Sequence, residues 1–174
     1  MSGEGKVARE ARALVIIALG SNLGDARRNV LEAVKRLEVL SDHPLRVSSL
    51  WETSPVDCPP GSASFINAVV ILVPRTEETP ETLLARLQTL EKEFGRQPKV
   101  VMNEPRELDL DLIAFGGETR ATRDLTLPHP RACVRRFVLE PLSELQPDLV
   151  LPGQSVTVAE LLREMPPGGT LRRV

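Results

Sequence analysis

Two aspartates in the segment RELDLDLIAF, residues 106–115, are the residues of this chain whose type and spacing most directly suggest chemistry. Residues two apart in a β-strand share a face, so Asp109 and Asp111 would lie about 7 Å apart at their α-carbons. Two carboxylates at that spacing repel each other, and one tends to take up a proton. Mg²⁺ removes this repulsion and is typically held by one or two carboxylates together with substrate phosphates. The pair therefore predicts a magnesium site, with an incidental acidic strand face as the alternative.

The same alternation predicts which side of this strand is buried. Apolar residues at even positions would form the core face, with Ile113 on the face of the aspartates. The predicted core residues are Leu108, Leu110, Leu112 and Ala114.

Basic residues surround the aspartate pair in the sequence. Those before it are Arg96, Lys99 and Arg106, and those after it are His129, Arg131, Arg135 and Arg136. An acidic pair with a basic cluster suits a magnesium–polyphosphate complex, because metal and guanidinium groups neutralise different phosphate oxygens. The turn GSNLGD, residues 20–25, lacks the G-K-[ST] of a Walker loop, so side chains and metal would have to hold the phosphates. Ordinary surface salt bridges are the alternative explanation for these arginines.

The elements that must position these residues follow from hydrophobic periodicity. ALVIIAL and FINAVVILV are short continuous apolar runs, which is typical of buried strands. Helical spacing in ARRNVLEAVKRLEVL and TPETLLARLQTLEKEFGR predicts two helices, capped by Asp25 and Thr79. LRVSSLWETS and RELDLDLIAFGG are predicted strands, LTLPHPRACVRRFVLEPLSELQPDL a proline-broken segment with short helical pieces, and SVTVAELLREM a short helix capped near Thr157. The order strand, helix, strand, strand, helix, strand predicts a ferredoxin-like α+β sandwich, with two helices on one face of a mainly antiparallel sheet.

Length and composition limit the class of protein. The 174 residues predict one domain over 13–174, preceded by a polar extension over 1–12 that is expected to be disordered. A net charge of −2 gives no indication of nucleic-acid or membrane binding, and ALVIIAL is too short to span a bilayer. The two cysteines are far apart and form no CxxC pair, which indicates free thiols in a cytoplasmic protein.

Several segments, taken together and in order, resemble the 6-hydroxymethyl-7,8-dihydropterin pyrophosphokinase family of folate biosynthesis. They are IALGSNLGD, VSSLWETSPV, FINAVV, LEKEFGR, PRELDLDLIAFG, LTLPHPR and RRFVLEPLSEL. The resemblance extends from Ala13 to about Leu162, and its most specific parts are PRELDLDLI and LPHPR. It implies the ferredoxin-like fold and transfer of diphosphate from ATP to the pterin hydroxymethyl oxygen, with release of AMP. It also implies two Mg²⁺ ions, and we expect a monomer.

The resemblance assigns a role to each matched residue. The implied metal ligands are Asp109 and Asp111, which with Arg96 and Arg106 make up the implied catalytic group. The implied ATP-binding residues are Gln88, Glu91, Lys99, Arg106, Thr126, His129 and Arg135. The implied pterin-binding residues are Thr53, Val56, Phe65, Asn67 and Phe137, of which Phe65 and Phe137 would sandwich the ring.

The residue types independently support part of this assignment. A flat heteroaromatic ring needs π-faces, and two of the chain's five aromatic residues, Phe65 and Phe137, stand at these places, although Phe65 could also be a core residue. Asn67 lies in an apolar run, so a hydrogen-bond partner is expected. Glu91 and Gln88 could instead form a solvated helix face, and His129, between two prolines, could make a structural hydrogen bond.

The predicted closing loop, QPKVVMNEP at 97–105, departs from the familiar pattern. Asn103 and Glu104 stand where the family carries tryptophan and glycine, Pro98 replaces an arginine and Met102 replaces a basic residue. Pro130 replaces an aromatic residue after the histidine. The loop length is retained, so we expect closure.

Three other functions share parts of the pattern. A ferredoxin-like RNA-binding module would need aromatic residues on the sheet and a basic surface, and neither is present. A ligand-sensing domain would not need the paired aspartates. Another metal-dependent nucleotidyl or phosphoryl transferase would share them, and only the pterin-pocket residues distinguish it. No residue is evident as a general base.

Overall fold

An antiparallel sheet is the centre of the protein in the computed structural model, which describes residues 13–55 and 57–174. The predicted N-terminal extension and Val56 lie outside the described residues. The strands are β1 (Val15–Ser21), β2 (Arg46–Val47), β3 (Trp51–Thr53), β4 (Phe65–Leu72), β5 (Asp109–Phe115), β6 (Arg120–Ala121), β7 (Thr126–Leu127) and β8 (Leu171–Arg173). Among the described residues the main sheet has the order β5-β1-β4-β3-β8, with β2 paired to β4, while β6 and β7 pair separately.

Three of the four helices in the described residues begin at the predicted caps. The four are α1 (Ala26–Glu38), α2 (Pro80–Glu93), α3 (Arg136–Leu145) and α4 (Val158–Glu164), with a short 3₁₀-helix at Ala132–Val134. The side chains of Asp25, Thr79 and Thr157 accept backbone N–H groups at the first turns of α1, α2 and α4, which confirms the three predicted N-caps. No helix within the described ranges is long and apolar enough to cross a membrane.

The predicted strand over LRVSSLWETS is divided into β2 and β3. At the interruption, the backbone N–H of Ser48 donates to the carbonyl of Val69 in β4. The side-chain oxygen of Ser48 accepts the Val69 N–H at 2.9 Å. The hydroxyl thus takes the place of a backbone carbonyl in the ladder. The strand order β5-β1-β4-β3 confirms the predicted ferredoxin-like α+β fold.

Helices cover both faces of the sheet, whereas the sequence predicted helices on one face. The first layer packs α1 and α2 on one face of β1 and β4, as expected, and includes Ile17, Leu19, Val30, Leu37, Leu83 and Leu87. The second layer packs α3 and α4 on the other face and includes Ile16, Val69, Ile113, Val138, Leu139 and Val158. The reason is visible in the continuous apolar runs of β1 and β4, which have two faces to bury. Helix α3 continues through Pro141 to Leu145, so the proline does not break it.

A β-bulge changes the end of β5. Residue Ile17 pairs with Leu112, but the next residue of β1, Ile16, pairs with Ala114, so Ile113 is an extra residue in the ladder. The leucines at 108, 110 and 112 belong to the first layer as predicted. Ala114 is buried as predicted, but its predicted face was wrong, because the bulge moves it into the second layer beside Ile113.

We expect Leu139→Ala in α3 to lower the free energy of unfolding by about 2–5 kcal/mol, because the side chain is fully buried in the second layer. Leu31→Ala in α1 is the matched control, since Leu31 is 45% exposed and should cost less than about 1 kcal/mol. Urea unfolding followed by circular dichroism measures both. Equal losses in the two variants would contradict the packed second layer.

Candidate active site

One row of residues across the sheet brings the two predicted halves of the site together. The strand register pairs Gly20 of β1 with Asp109 on one side and with Asn67 on the other. Directly opposed residues in antiparallel strands point to the same face. The predicted metal ligand and the predicted pterin-binding amide therefore lie on one face, separated only by a glycine.

Arginines surround the two aspartates. The Oδ1 atom of Asp109 accepts from Nη1 of Arg106 at 2.7 Å and from Nη1 of Arg96 at 3.3 Å. Asp111 Oδ2 lies 3.5 Å from Nη1 of Arg135. Burial, and then the charge of Asp109, raise the pKa of Asp111 to about 6 despite these arginines. The structure thus brings the predicted acidic pair and three of the predicted arginines into one cluster. The charge of Asp109 raises the pKa of Asp111, as the predicted repulsion between the carboxylates requires.

Glu91 is buried behind this cluster. One carboxylate oxygen accepts the backbone N–H of Leu110, at 2.7 Å, and the other is paired with Arg96. Burial, with a smaller effect of the charge of Asp109, raises the pKa of Glu91 to about 7, although the Leu110 N–H and Arg96 act in the opposite direction. Both carboxylate oxygens therefore have protein partners, and Glu91 links α2 to the backbone between the two aspartates. Its predicted contact with ATP stays a prediction.

His129 lies beside β5. Its backbone N–H donates to the carbonyl of Ile113 at 2.8 Å, and its Nδ1 accepts the backbone N–H of Arg131 at 3.2 Å. Burial, followed by the charges of Arg135 and Arg131, lowers the pKa of His129 to about 4. The imidazole is therefore neutral at pH 7, with Nε2 carrying the proton. The alternative of a structural hydrogen bond is realised, and phosphate contact stays a prediction.

Asn67 has the partner that its burial requires. Its Nδ2 donates to Oγ1 of Thr53 at 2.7 Å, and both side chains are buried. A methyl group at Gly20 would lie 3.0 Å from Asn67 Oδ1 and 3.7 Å from the ring of Phe65. The absence of a side chain at Gly20 thus leaves space in front of the amide and the ring.

The two phenylalanines differ in their surroundings. Phe65, at the start of β4, is half-buried and lies outside the two core layers of the described residues. Phe137 packs at the edge of the second layer, and the guanidinium of Arg135 lies 5.3 Å from its ring centroid. Arg135 therefore contacts both an aspartate and an aromatic ring. The predicted sandwich of the pterin stays a prediction.

Some residues predicted to bind substrate do not contact the cluster in the described part of the chain. Gln88, Lys99 and Thr126 are exposed, and none has a hydrogen bond or ion pair to the cluster among the contacts described for residues 13–55 and 57–174. Val56 lies outside the described residues. The roles predicted for these four residues stay predictions.

The loop at 97–105 contacts the segment that precedes β4. Asn103 has a φ of 55° and donates through Nδ2 to the carbonyl of Asp57 at 2.7 Å. Glu104 accepts the backbone N–H groups of Val100 and Val101 within the loop. Asn103 and Glu104, two of the residues that depart from the family pattern, thus make hydrogen bonds that position the loop.

Sequence reasoning missed two residues of the site. Gly20 could have been suspected only from the register that places it between Asp109 and Asn67. Asn22 is buried, its backbone N–H donates to the Arg106 carbonyl, and its Oδ1 accepts the Arg106 N–H. Its only sequence signal was a turn, which many asparagines share.

The carboxylates of the site suit a hard cation that also takes ligands from water and substrate. Within the described ranges, no three histidine, cysteine, aspartate or glutamate side chains gather so as to hold a metal ion. Two carboxylates on one strand face, Asp109 and Asp111, match the pattern of Mg²⁺, which is bound by one or two carboxylates with phosphates and water. The acidic pair therefore fits magnesium carried in with a polyphosphate, and does not fit a site made of protein ligands alone.

Comparisons with known proteins identify the family of this chain. The model of the 7,8-dihydro-6-hydroxymethylpterin-pyrophosphokinase (HPPK) family matches residues 16–147. The 2-amino-4-hydroxy-6-hydroxymethyldihydropteridine pyrophosphokinase of Haemophilus influenzae is 37% identical over 149 residues, which cover 85% of this chain and 90% of that protein. The chain is also 37% identical to the folic acid synthesis protein fol1 of Pneumocystis carinii over 154 residues, 87% of this chain, but spans only 20% of that protein.

A solved structure shows the same fold. The crystal structure of wild-type Plasmodium falciparum HPPK-DHPS with pteroate superimposes with a TM-score of 0.68, covering 87% of this chain and 42% of that one, at 13% identity. At this identity the likeness concerns the fold alone. The chain thus spans less than half of that protein.

We expect the ring protons of His129 to titrate near pH 4 in the folded protein, because burial and two arginines oppose protonation. An unfolded histidine titrates near pH 6.5, so the folded state should lose stability as the pH falls from about 6.5 to 4. Proton NMR of the wild type and of His129→Gln, which identifies the resonance, measures the pKa. A pKa of His129 near 6.5 would contradict the described environment.

Proposed function

The chain belongs to the 7,8-dihydro-6-hydroxymethylpterin-pyrophosphokinase family, and on this basis we propose that it transfers diphosphate from ATP to 6-hydroxymethyl-7,8-dihydropterin in folate synthesis. AMP is the second product. The observation that carries the proposal is the row Asp109, Gly20, Asn67, in which the carboxylate proposed to hold metal lies on the same sheet face as the amide proposed to bind pterin. We further expect the protein to act as a cytoplasmic monomer.

The aspartates would bind the metal ions, and the arginines would bind the phosphate oxygens of the nucleotide. Asp109 and Asp111 would hold two Mg²⁺ ions, which supply charge neutralisation at the phosphates when bound. Arg96 and Arg106 contact Asp109 through Nη1 alone in the described contacts, so each has further N–H groups that can reach phosphate oxygens. Because Glu91 and Arg96 are already paired, the guanidinium is oriented before the substrate arrives.

The pterin would be recognised by the neighbouring residues. Thr53 fixes the orientation of the Asn67 amide, which leaves Oδ1 facing the space above Gly20. An amide presents both a donor and an acceptor, which complements the amide-like edge of a pterin. The rings of Phe65 and Phe137 would then supply the π-faces on either side.

The reaction is an in-line displacement at the β-phosphorus. The hydroxymethyl oxygen forms the new bond to this phosphorus, and the bond to the oxygen that bridges the α- and β-phosphates breaks, so AMP leaves with that oxygen. The arginines offset the charge that develops on the transferred group and on AMP. The loop at 97–105 would exclude water, which competes with the alcohol. The group that takes the alcohol proton is not assigned.

A different magnesium-dependent phosphoryl or nucleotidyl transferase would use the same aspartates. The Asn67–Thr53 pair next to Gly20 favours the pterin, because an apolar strand has no structural need for a buried amide at this position. The products distinguish the two activities, since only diphosphate transfer releases AMP together with a diphosphorylated alcohol.

We expect wild type to release AMP from ATP only when magnesium and the pterin alcohol are both present, and Asp109→Ala to lower kcat by about 100-fold or more, because charge neutralisation at the phosphates is lost. Chromatographic separation of AMP, ADP and ATP measures this, and EDTA should abolish it. Asp148→Ala, at an exposed aspartate in the loop after α3, is the matched control and should keep wild-type kcat. ADP as product, or full activity in Asp109→Ala, would contradict the proposal.

We expect Gly20→Ala to raise KM for the pterin by about tenfold, with a smaller change in KM for ATP, because the added methyl group lies 3.0 Å from Asn67 Oδ1. Gly117→Ala is the control, since nothing lies within 4 Å of a methyl group there. Steady-state kinetics with each substrate varied in turn provides the comparison. An unchanged KM for the pterin would contradict the proposal that Gly20 and Asn67 line the pterin pocket.

A further inference from the structure

Asn22 joins three segments that meet at the proposed site. It follows β1 and is only 6% exposed. Its backbone N–H donates to the carbonyl of Arg106 at 3.1 Å, and its Oδ1 accepts the N–H of the same residue at 2.9 Å. Its Nδ2 donates to the carbonyl of Ala63, in the loop before β4, at 3.3 Å. One buried side chain thus connects the end of β1, the approach to β5 and the loop on the pterin side.

The pairing of Asn22 with Arg106 interrupts the strand register. Gly20 lies opposite Asp109, so a regular antiparallel ladder would place Asn22 opposite Glu107, one residue further along than Arg106. The Oδ1 atom of Asn22 takes the place of a backbone carbonyl and holds Arg106 in this shifted position. The backbone between Arg106 and Asp109 is therefore irregular.

This irregularity decides where the Arg106 side chain lies. Residues three apart in a regular strand point to opposite faces, so Arg106 and Asp109 would not meet. In the structure, Nη1 of Arg106 lies 2.7 Å from Oδ1 of Asp109. The contact exists because the backbone leaves the strand register at Arg106, and Asn22 is the side chain bonded to that backbone.

We propose that Asn22 is a positioning residue of the phosphate site, which holds the backbone of Arg106 so that its guanidinium lies against Asp109. Through Ala63 it connects the pterin-side loop to the same point. Asn22 itself touches no reacting group. The inference rests on the proposed function, in which Arg106 binds the phosphates of ATP.

The test compares Asn22→Ala with Asn29→Ala. Asn29 is a matched control because its Nδ2 donates to Ser21 Oγ and to the Leu23 carbonyl in the same turn, but its described hydrogen bonds do not reach Arg106 or Ala63. We expect Asn22→Ala to lower kcat/KM for ATP by about tenfold or more, because the part-buried Arg106 N–H loses its acceptor and Arg106 loses its position. Asn29→Ala should change kcat/KM for ATP by less than about threefold.

A double-mutant cycle separates positioning from general destabilisation. In the background of Arg106→Ala, Asn22→Ala should lower kcat/KM for ATP by less than about threefold, because the group that Asn22 positions is gone. If Asn22→Ala does not fold, Asn22→Ser replaces it in both backgrounds, since serine also favours turns while its shorter side chain does not reach the Arg106 N–H. Urea unfolding of each variant identifies the folded ones.

The outcomes distinguish the inference from the function on which it rests. If Arg106→Ala keeps wild-type kcat/KM for ATP, the proposed phosphate site is wrong. Suppose that Arg106→Ala lowers kcat/KM for ATP. If Asn22→Ala then changes kcat/KM no more than Asn29→Ala does, or lowers it by the same factor with and without Arg106→Ala, the positioning role of Asn22 is wrong and the proposed function stands.

Discussion

The repulsion between two carboxylates on one strand is the constraint around which the site is built. Asp109 and Asp111 cannot move apart, because the leucines between and beside them are anchored in the core on the opposite face. Partial burial strengthens the repulsion, and it raises the pKa of Asp111 to about 6. A buried charge without a partner is costly, so the surrounding arginines are a requirement of the fold as well as a resource for phosphate binding.

The arginines are in turn held by groups that do not face substrate. Glu91 orients Arg96 from behind while it accepts the N–H of Leu110, and Asn22 holds the backbone of Arg106. The cationic side of the site is thus connected to α2 and to the turn after β1. Cations positioned before the substrate arrives need little reorganisation when charge develops, which is the main source of rate enhancement in phosphoryl-type transfer.

Gly20 is the point at which the proposed phosphate half and the proposed pterin half of the site meet. It lies between Asp109 and Asn67 in the sheet, and it has no side chain to fill the space in front of them. The loop at 97–105 contacts the segment before β4 through the hydrogen bond from Asn103 to the carbonyl of Asp57. The Asn103 amide thus gives the loop a specific connection to the segment before β4.

The sequence by itself determined the features that depend on neighbouring residues. Helix caps at Asp25, Thr79 and Thr157, the buried face of β5 up to Leu112, and the need of Asn67 for a partner all follow from local spacing and chemistry, and the structure confirms them. The family resemblance also predicted that arginines far apart in the sequence would gather near Asp109 and Asp111.

Only the tertiary structure decided the features that depend on contacts between distant parts of the chain. Ser48 divides a predicted strand, the bulge at Ile113 moves Ala114 to the other face, and Asn22 shifts Arg106 out of register across 84 residues of sequence. The covering of the second face by α3 and α4 likewise depends on long-range packing. Alternation and periodicity describe regular elements, and each of these features is a departure from regularity, stabilised by a partner that lies far away in the sequence and becomes a neighbour only when the chain is folded.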